Sequence, residues 1–126
     1  MSLPNFMCIG AAKSATTTLY DILRQHPEVY IPSFKEPHFF DIPENYENGI
    51  EWYKKNYFKQ VKEEKCIGDF TPSYLFEKQA PERICNALGK DVKFIVLLRN
   101  PVDRAYSHCL HSVRDEHEHL DFKQAL

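Results

Sequence analysis

Three apolar runs, at residues 5–10, 65–70 and 92–98, each stop abruptly and give way to a stretch with helical spacing. That alternation constrains the fold more than any other feature, because strands separated by whole helices pair in parallel rather than as hairpins. In "NFMCIG" the strand is closed by Gly10, and Leu19, Ile22 and Leu23 then recur at helical spacing. This helix is expected to end at "QHP", since Pro27 pushes the residue before it out of the α region. "KCIGDF" precedes "KQAPERICNALG", a helix with Pro81 near its first turn and Gly89 just past its end. "VKFIVLLRNP" is the clearest strand, an apolar run from Phe94 ended by Arg99, and a last helix runs from Pro101 into a solvated "RDEHEHL". Between these lie a short strand in "EVYI", a proline-rich loop in "PSFKEPHFFDIPEN" and a tryptophan-centred helix in "GIEWYKKNYF". The expectation is an α/β fold, three-layer α/β/α, with a central parallel sheet covered on both faces.

At 126 residues the chain makes one domain. A formal charge of -2 and a pI near 6.3 argue against a nucleic-acid footprint or an anionic membrane surface, so any anion site must be local. The four cysteines, Cys8, Cys66, Cys85 and Cys109, form no CxxC pair and read as buried reduced thiols rather than as a zinc motif or a disulfide framework. His108, His111, His117 and His119 lack a completing Cys or carboxylate set, so no metal site is expected. No run reaches the roughly 18 apolar residues of a membrane span, and no signal peptide precedes the first strand. The chain therefore reads as cytoplasmic, although a luminal domain cut from its anchor has the same composition.

In parallel sheets ligands sit off the carboxyl ends of the strands. Here those ends are residues 10–13, 68–71 and 99–100. "GAAKSATT" leads a strand into a helix, which aims unpaired backbone N–H groups and the positive helix end at one point, with Lys13 adding a full charge. Ser14, Thr16, Thr17 and Thr18 add hydroxyl donors or, in the plainer reading, Ser14 or Thr16 caps the helix. The stretch departs from GxxxxGK[ST], because Ala12 stands where a second glycine belongs. The strand of residues 92–98 ends in Arg99 and not in the acidic residue that commonly helps hold Mg²⁺. Ser107, eight residues on, lies roughly two helical turns away and can share an anion with Arg99. Two anion points imply a ligand with two separated phosphate-type groups; the alternatives are a structural ion pair at Arg99 and a surface hydroxyl at Ser107.

These segments resemble the sulfotransferase superfamily that uses 3′-phosphoadenosine 5′-phosphosulfate as donor. "GAAKSATTTL" is similar to its 5′-phosphosulfate loop and "FIVLLRNPVDRAYSHC" to its 3′-phosphate segment, while "KEPHFFD" and "GDFTPSYLF" resemble the branch that sulfates heparan-type glycans and related bacterial acceptors. The resemblance implies a P-loop-like sulfotransferase fold, of which residues 1–126 form the N-terminal portion of a single domain incomplete at its C-terminal side. It implies donor contacts from Gly10, Ala11, Ala12, Lys13, Ser14, Ala15, Thr16, Thr17 and Thr18 for the 5′-phosphosulfate, and from Arg99 and Ser107 for the 3′-phosphate. Glu36 is assigned the base that takes the acceptor's proton, Lys13 and Lys35 the charge stabilisation, and His111 an assisting role matched in N-sulfating relatives. His38 reads as a hydrogen-bonded loop histidine, and Trp52 and Tyr53 as core. The acceptor implied is a glycan or small molecule bearing a hydroxyl or amine.

Two departures qualify the match. Ala15 stands where such loops often have glycine, and Phe70 follows Asp69 where glycan-sulfating relatives often have lysine. A P-loop small-molecule kinase and a non-catalytic nucleotide-binding module are the competing readings.

Overall fold

The computed structural model describes residues 2–117 and 119–125. Its element order is β1 (Phe6–Gly10), α1 (Thr16–Leu23), β2 (Val29–Tyr30), α2 (Pro43–Glu47) and α3 (Ile50–Tyr53), the last running on into a π-helical turn at Lys54–Phe58. Then come β3 (Cys66–Phe70), a 3₁₀ turn (Pro72–Leu75), α4 (Ala80–Leu88), β4 (Lys93–Val96), α5 (Pro101–Arg114) and α6 (Phe122–Ala125). The four strands form one parallel sheet in the order β2-β3-β1-β4.

Alternation along the strands divides the core into two layers. Met7 and Ile67 face one side, where Phe39, Phe40, Tyr53, Phe58, Tyr74, Ala80 and Ile84 pack on them. Cys8 and Phe70 face the other, against Tyr20 and Ile31, with Leu19 and Leu23 of α1 closing over them. The expected three-layer α/β/α arrangement follows. Aromatic rings fill the first layer: Phe39 stacks on Tyr53 at 4.3 Å between centroids, and Phe40 meets Tyr53 and Tyr74 edge to face. Offset and perpendicular ring pairs of this kind contribute beyond their buried area.

Several expectations need correction. The helix expected to reach "QHP" ends at Leu23, because residues 25 and 26 bond at three-residue spacing, Gln25 N to Ile22 O and His26 N to Leu23 O, tightening the last turn ahead of Pro27. Within the loop of prolines, Pro43 starts α2, where a missing N–H costs nothing. Of the four cysteines only Cys8 is buried; Cys66 and Cys85 are exposed and Cys109 is half-buried. The run of residues 92–98 forms a strand only over Lys93–Val96, at the sheet's edge, and Phe94, Val96 and Leu98 are substantially exposed. Among the described residues the sheet is therefore covered on both faces at β1, β2 and β3 but not at β4. Pairing continues past β4 nonetheless, through Ala11 N to Leu97 O and Leu97 N to Gly10 O, both 2.8 Å. Within the "RDEHEHL" stretch Glu118 lies outside the described residues.

α5 begins where the sequence places it. Asn100 is its N-cap, its side-chain oxygen accepting from Val102 N at 3.0 Å and Asp103 N at 3.3 Å. Asn100→Ala is expected to lower the unfolding free energy by about 1 kcal/mol in chemical denaturation, and Asn100→Gly by only a few tenths. Equal losses in the two variants would show that the cap bond is not what holds this end.

Candidate functional site

The chain order reverses at β1, with β3 on one side and β4 on the other, and such a switch opens a crevice beyond the strands' carboxyl ends. The turn from β1 to α1 fills it. Lys13 and Ala15 both take left-handed backbone, φ 62° and 66°, which folds the turn back over the end of the sheet. Ala15 is the N-cap of α1 and no side chain caps the helix, so the expectation that Ser14 or Thr16 merely caps it is not met. The first-turn N–H groups, with the positive end of the helix dipole, face outward for another acceptor. Ser14 is 6% exposed and its Oγ has no hydrogen-bond partner among the described residues. A buried hydroxyl left unpaired costs about 1–3 kcal/mol.

Lys35 joins this turn to the proline-rich loop. Its Nζ donates to Thr17 Oγ1 at 2.6 Å and Thr16 Oγ1 at 3.4 Å, and lies 3.5 Å from Glu36 Oε1. The loop is anchored below by Glu36 N donating to Phe70 O at the end of β3, 3.0 Å. Glu36 and His38, on either side of Pro37, both have left-handed backbone, φ 66° and 52°. Non-glycine residues held in that region cost of order 1 kcal/mol or more each, and such strain gathers where a side chain must point somewhere particular.

What Glu36 points at is His38. The imidazole Nε2 is 3.3 Å from Glu36 Oε2, its Nδ1 is 2.7 Å from Asp41 Oδ2, and Ser73 Oγ donates to the same Asp41 oxygen. The bond to Glu36 and then that to Asp41 push the His38 pKa up to about 9 against the opposing effect of burial. Both ring nitrogens are thus donors near neutral pH. The His38 bond, aided by Lys35, holds the Glu36 carboxyl below the usual range although burial opposes it, so Glu36 is an anion. The charged imidazole therefore stabilises the fold fully below about pH 6.5, the ordinary histidine value, and that contribution is lost as pH rises through about 9.

The remaining charge comes from β4 and α5. Arg99 Nη1 donates to the Lys13 carbonyl at 3.1 Å, which places a guanidinium against the β1 turn, and among the described residues no carboxylate pairs with it. Ala12, Lys13, Ala15, Thr16, Thr17, Lys35, Glu36, Arg99, Ser107 and His111 all line a single cavity of about 700 Å³. His111 is fixed on α5 with Nε2 3.2 Å from Asp115 Oδ2. Gly10, Ala11, Ser14 and Thr18 do not reach its wall. Gly10 is required for a different reason, since an added Cβ would lie 2.7 Å from Leu75 Cδ2. Pro72, Ser73, Phe76 and His108 also line the cavity, although sequence reasoning assigned the first three no role and weighed His108 only as a metal ligand, and His38 is the hydrogen-bonded loop histidine expected. In "KEPHFFD" a histidine lies between two acidic residues in one short loop, but only the left-handed backbone at Glu36 and His38 turns both carboxylates onto its ring. Among the described residues no group of three or more metal-ligating side chains comes together, and no helix is long and apolar enough to cross a membrane.

The family model for the sulfotransferase domain matches residues 3–124. The membrane-associated sulfotransferase kil1 of Dictyostelium discoideum is 40% identical over 109 residues, 85% of this chain and 22% of that protein. Heparan sulfate glucosamine 3-O-sulfotransferase 3A1 of Mus musculus is 41% identical over 105 residues, 83% of this chain and 25% of that protein. A crystal structure of a sulfotransferase from Alicyclobacillus acidocaldarius superposes with a TM-score of 0.87 at 38% identity, covering all of this chain and 56% of that one. The chain thus spans about a quarter of the length of these curated relatives and a little over half of the solved structure.

Proposed function

Because the chain belongs to the sulfotransferase domain family, we propose that it carries the donor site and the base of an enzyme that moves a sulfuryl group from 3′-phosphoadenosine 5′-phosphosulfate to a hydroxyl or amine of a glycan or small-molecule acceptor. The observation that carries this reading is the single cavity into which Lys13, Lys35, Glu36, Arg99 and Ser107 converge from four separate segments. In it Lys13, the α1 N-terminus and the hydroxyls of Thr16 and Thr17 hold the 5′-phosphosulfate, with Ser14 buried behind the turn that presents them. Arg99 and Ser107 hold the 3′-phosphate. The relatives named for heparan sulfate support a glycan acceptor, whereas the family as a whole leaves small molecules open.

The transfer is an in-line displacement: the bond from sulfur to the 5′-phosphate oxygen breaks as the acceptor oxygen or nitrogen bonds sulfur, and the acceptor's proton passes to a Glu36 oxygen. Little covalent work falls to the protein, so positioning and charge stabilisation dominate. Lys13 meets the charge gathering on the departing phosphate. Lys35, tied to Thr17 on one side and close to Glu36 on the other, keeps donor and base in register. Glu36, ionised near neutral pH, accepts a proton that becomes acidic only as the new bond forms. His111 stands on the cavity wall to assist.

Isothermal titration with 3′-phosphoadenosine 5′-phosphate and with ATP, each with and without Mg²⁺, tests the assignment. Tight binding of the bisphosphate that ignores Mg²⁺ is expected. A preference for ATP with Mg²⁺ would instead identify a kinase, and binding of the bisphosphate with no turnover of any acceptor would identify a nucleotide-binding module.

A further inference from the structure

Beneath the loop that carries Glu36 lies a charged group to which the mechanism assigns no task. Asp69, on β3, is fully buried, and its Oδ1 accepts from Thr71 Oγ1 at 2.6 Å. Its Oδ2 accepts from Tyr53 Oη and, at 3.1 Å, from Tyr74 Oη. Tyr74 Oη in turn accepts from the backbone N–H groups of Phe39, 3.0 Å, and Phe40, 3.4 Å. Those residues close the loop on its far side, directly after His38 and before Asp41.

We propose that Asp69 is a positioning residue that fixes the Glu36 loop through the Tyr74 hydroxyl. A tyrosine hydroxyl has one proton and two lone pairs, and an ionised carboxylate accepts only. Asp69 therefore claims the Tyr74 proton and leaves the lone pairs aimed at Phe39 and Phe40. The two amides that follow His38 are satisfied only in that polarity. An apolar or donating group at position 69 would let the hydroxyl rotate, leaving buried N–H groups unpaired and the loop free to relax its left-handed turns at Glu36 and His38. Burial pulls the Asp69 pKa up to about 6, but the three hydroxyl donors oppose it, and the anion is the form near neutral pH. Tyr53 serves as an internal contrast: it donates to the same Asp69 oxygen but makes no bond to the loop backbone.

This proposal rests on Glu36 being the base, and its test separates the two. Tyr74→Phe and Tyr53→Phe each delete one hydroxyl from Asp69 and keep the ring, so both are expected to fold, with the larger loss of stability in Tyr74→Phe, which also unpairs the Phe39 and Phe40 amides. In the intact protein Tyr74→Phe should lower kcat by roughly tenfold or more at an unchanged donor KM, the scale of a displaced catalytic group. Nuclear magnetic resonance of the His38 ring should show its titration falling from about 9 toward the ordinary histidine value. Tyr53→Phe should do neither. Equal behaviour of the two variants, or the absence of either change in Tyr74→Phe, overturns the proposal and leaves Asp69 a packing element. Should Glu36→Gln retain full rate, the base assignment falls and the His38 titration alone decides whether Tyr74 positions the loop.

Discussion

Replacing Glu36 with Gln is expected to reduce kcat by roughly 10²- to 10⁴-fold, the range for a lost general base, while affinity for 3′-phosphoadenosine 5′-phosphate stays near wild type. The substitution preserves volume and keeps an oxygen near His38 Nε2, so the backbone turn at φ 66° and the bond from Glu36 N to Phe70 O have no reason to move. What is lost is the negative charge. Without it the acceptor's proton has no place to go as sulfur bonds to the acceptor, and the ring of His38 keeps only Asp41 as a charged partner. Steady-state kinetics with calorimetry on the same preparation decides the matter. Wild-type rate in Glu36→Gln would leave the geometry intact and remove the base.

Lys13→Met is expected to lower kcat by about 10²- to 10³-fold, the usual loss when one preorganised donor to developing charge is removed, and to weaken donor binding as well. Lys13 lines the cavity from a left-handed turn, φ 62°, and Met retains the stem without the charge. The combined effect distinguishes it from Glu36→Gln: a ligand-holding cation changes both binding and rate, whereas a base changes rate. Arg99→Met, by contrast, removes a ground-state contact in this reading and should act chiefly through donor affinity. Unchanged kcat in Lys13→Met, with only binding reduced, would move the transition-state role to Lys35.

The strands were legible because each is a short apolar run closed by glycine, arginine or a turn, and parallel order follows from the helices between them. The convergence of residues 10–13, 68–71 and 99–100 was legible for the same reason: strand ends in a parallel sheet share one edge. Helix ends were less so. Pro27 marks where a helix must have stopped, not where its last turn tightens, and Pro43 reads as a loop residue although its ring suits a first helical turn. Exposure at β4 was hidden because an apolar run looks alike in a central strand and at an edge. The role of His38 was hidden for a different reason. Nothing in its spacing says that two positive-φ turns on either side of Pro37 bring one imidazole between Glu36 and Asp41. Tertiary pairings such as Tyr74 with Phe39, 35 residues apart, leave no local trace at all.

The contact of Arg99 with the Lys13 carbonyl fastens the mouth of the outermost strand to the turn beside the central one. In the proposed function a donor nucleotide that grips both turns would act as a brace as well as a reactant, and at a hundred times its dissociation constant would add about 2.7 kcal/mol to the folded state. Occupancy and the integrity of that border strand would then rise and fall together, so a scarcity of substrate would slow turnover and loosen the scaffold at the same time.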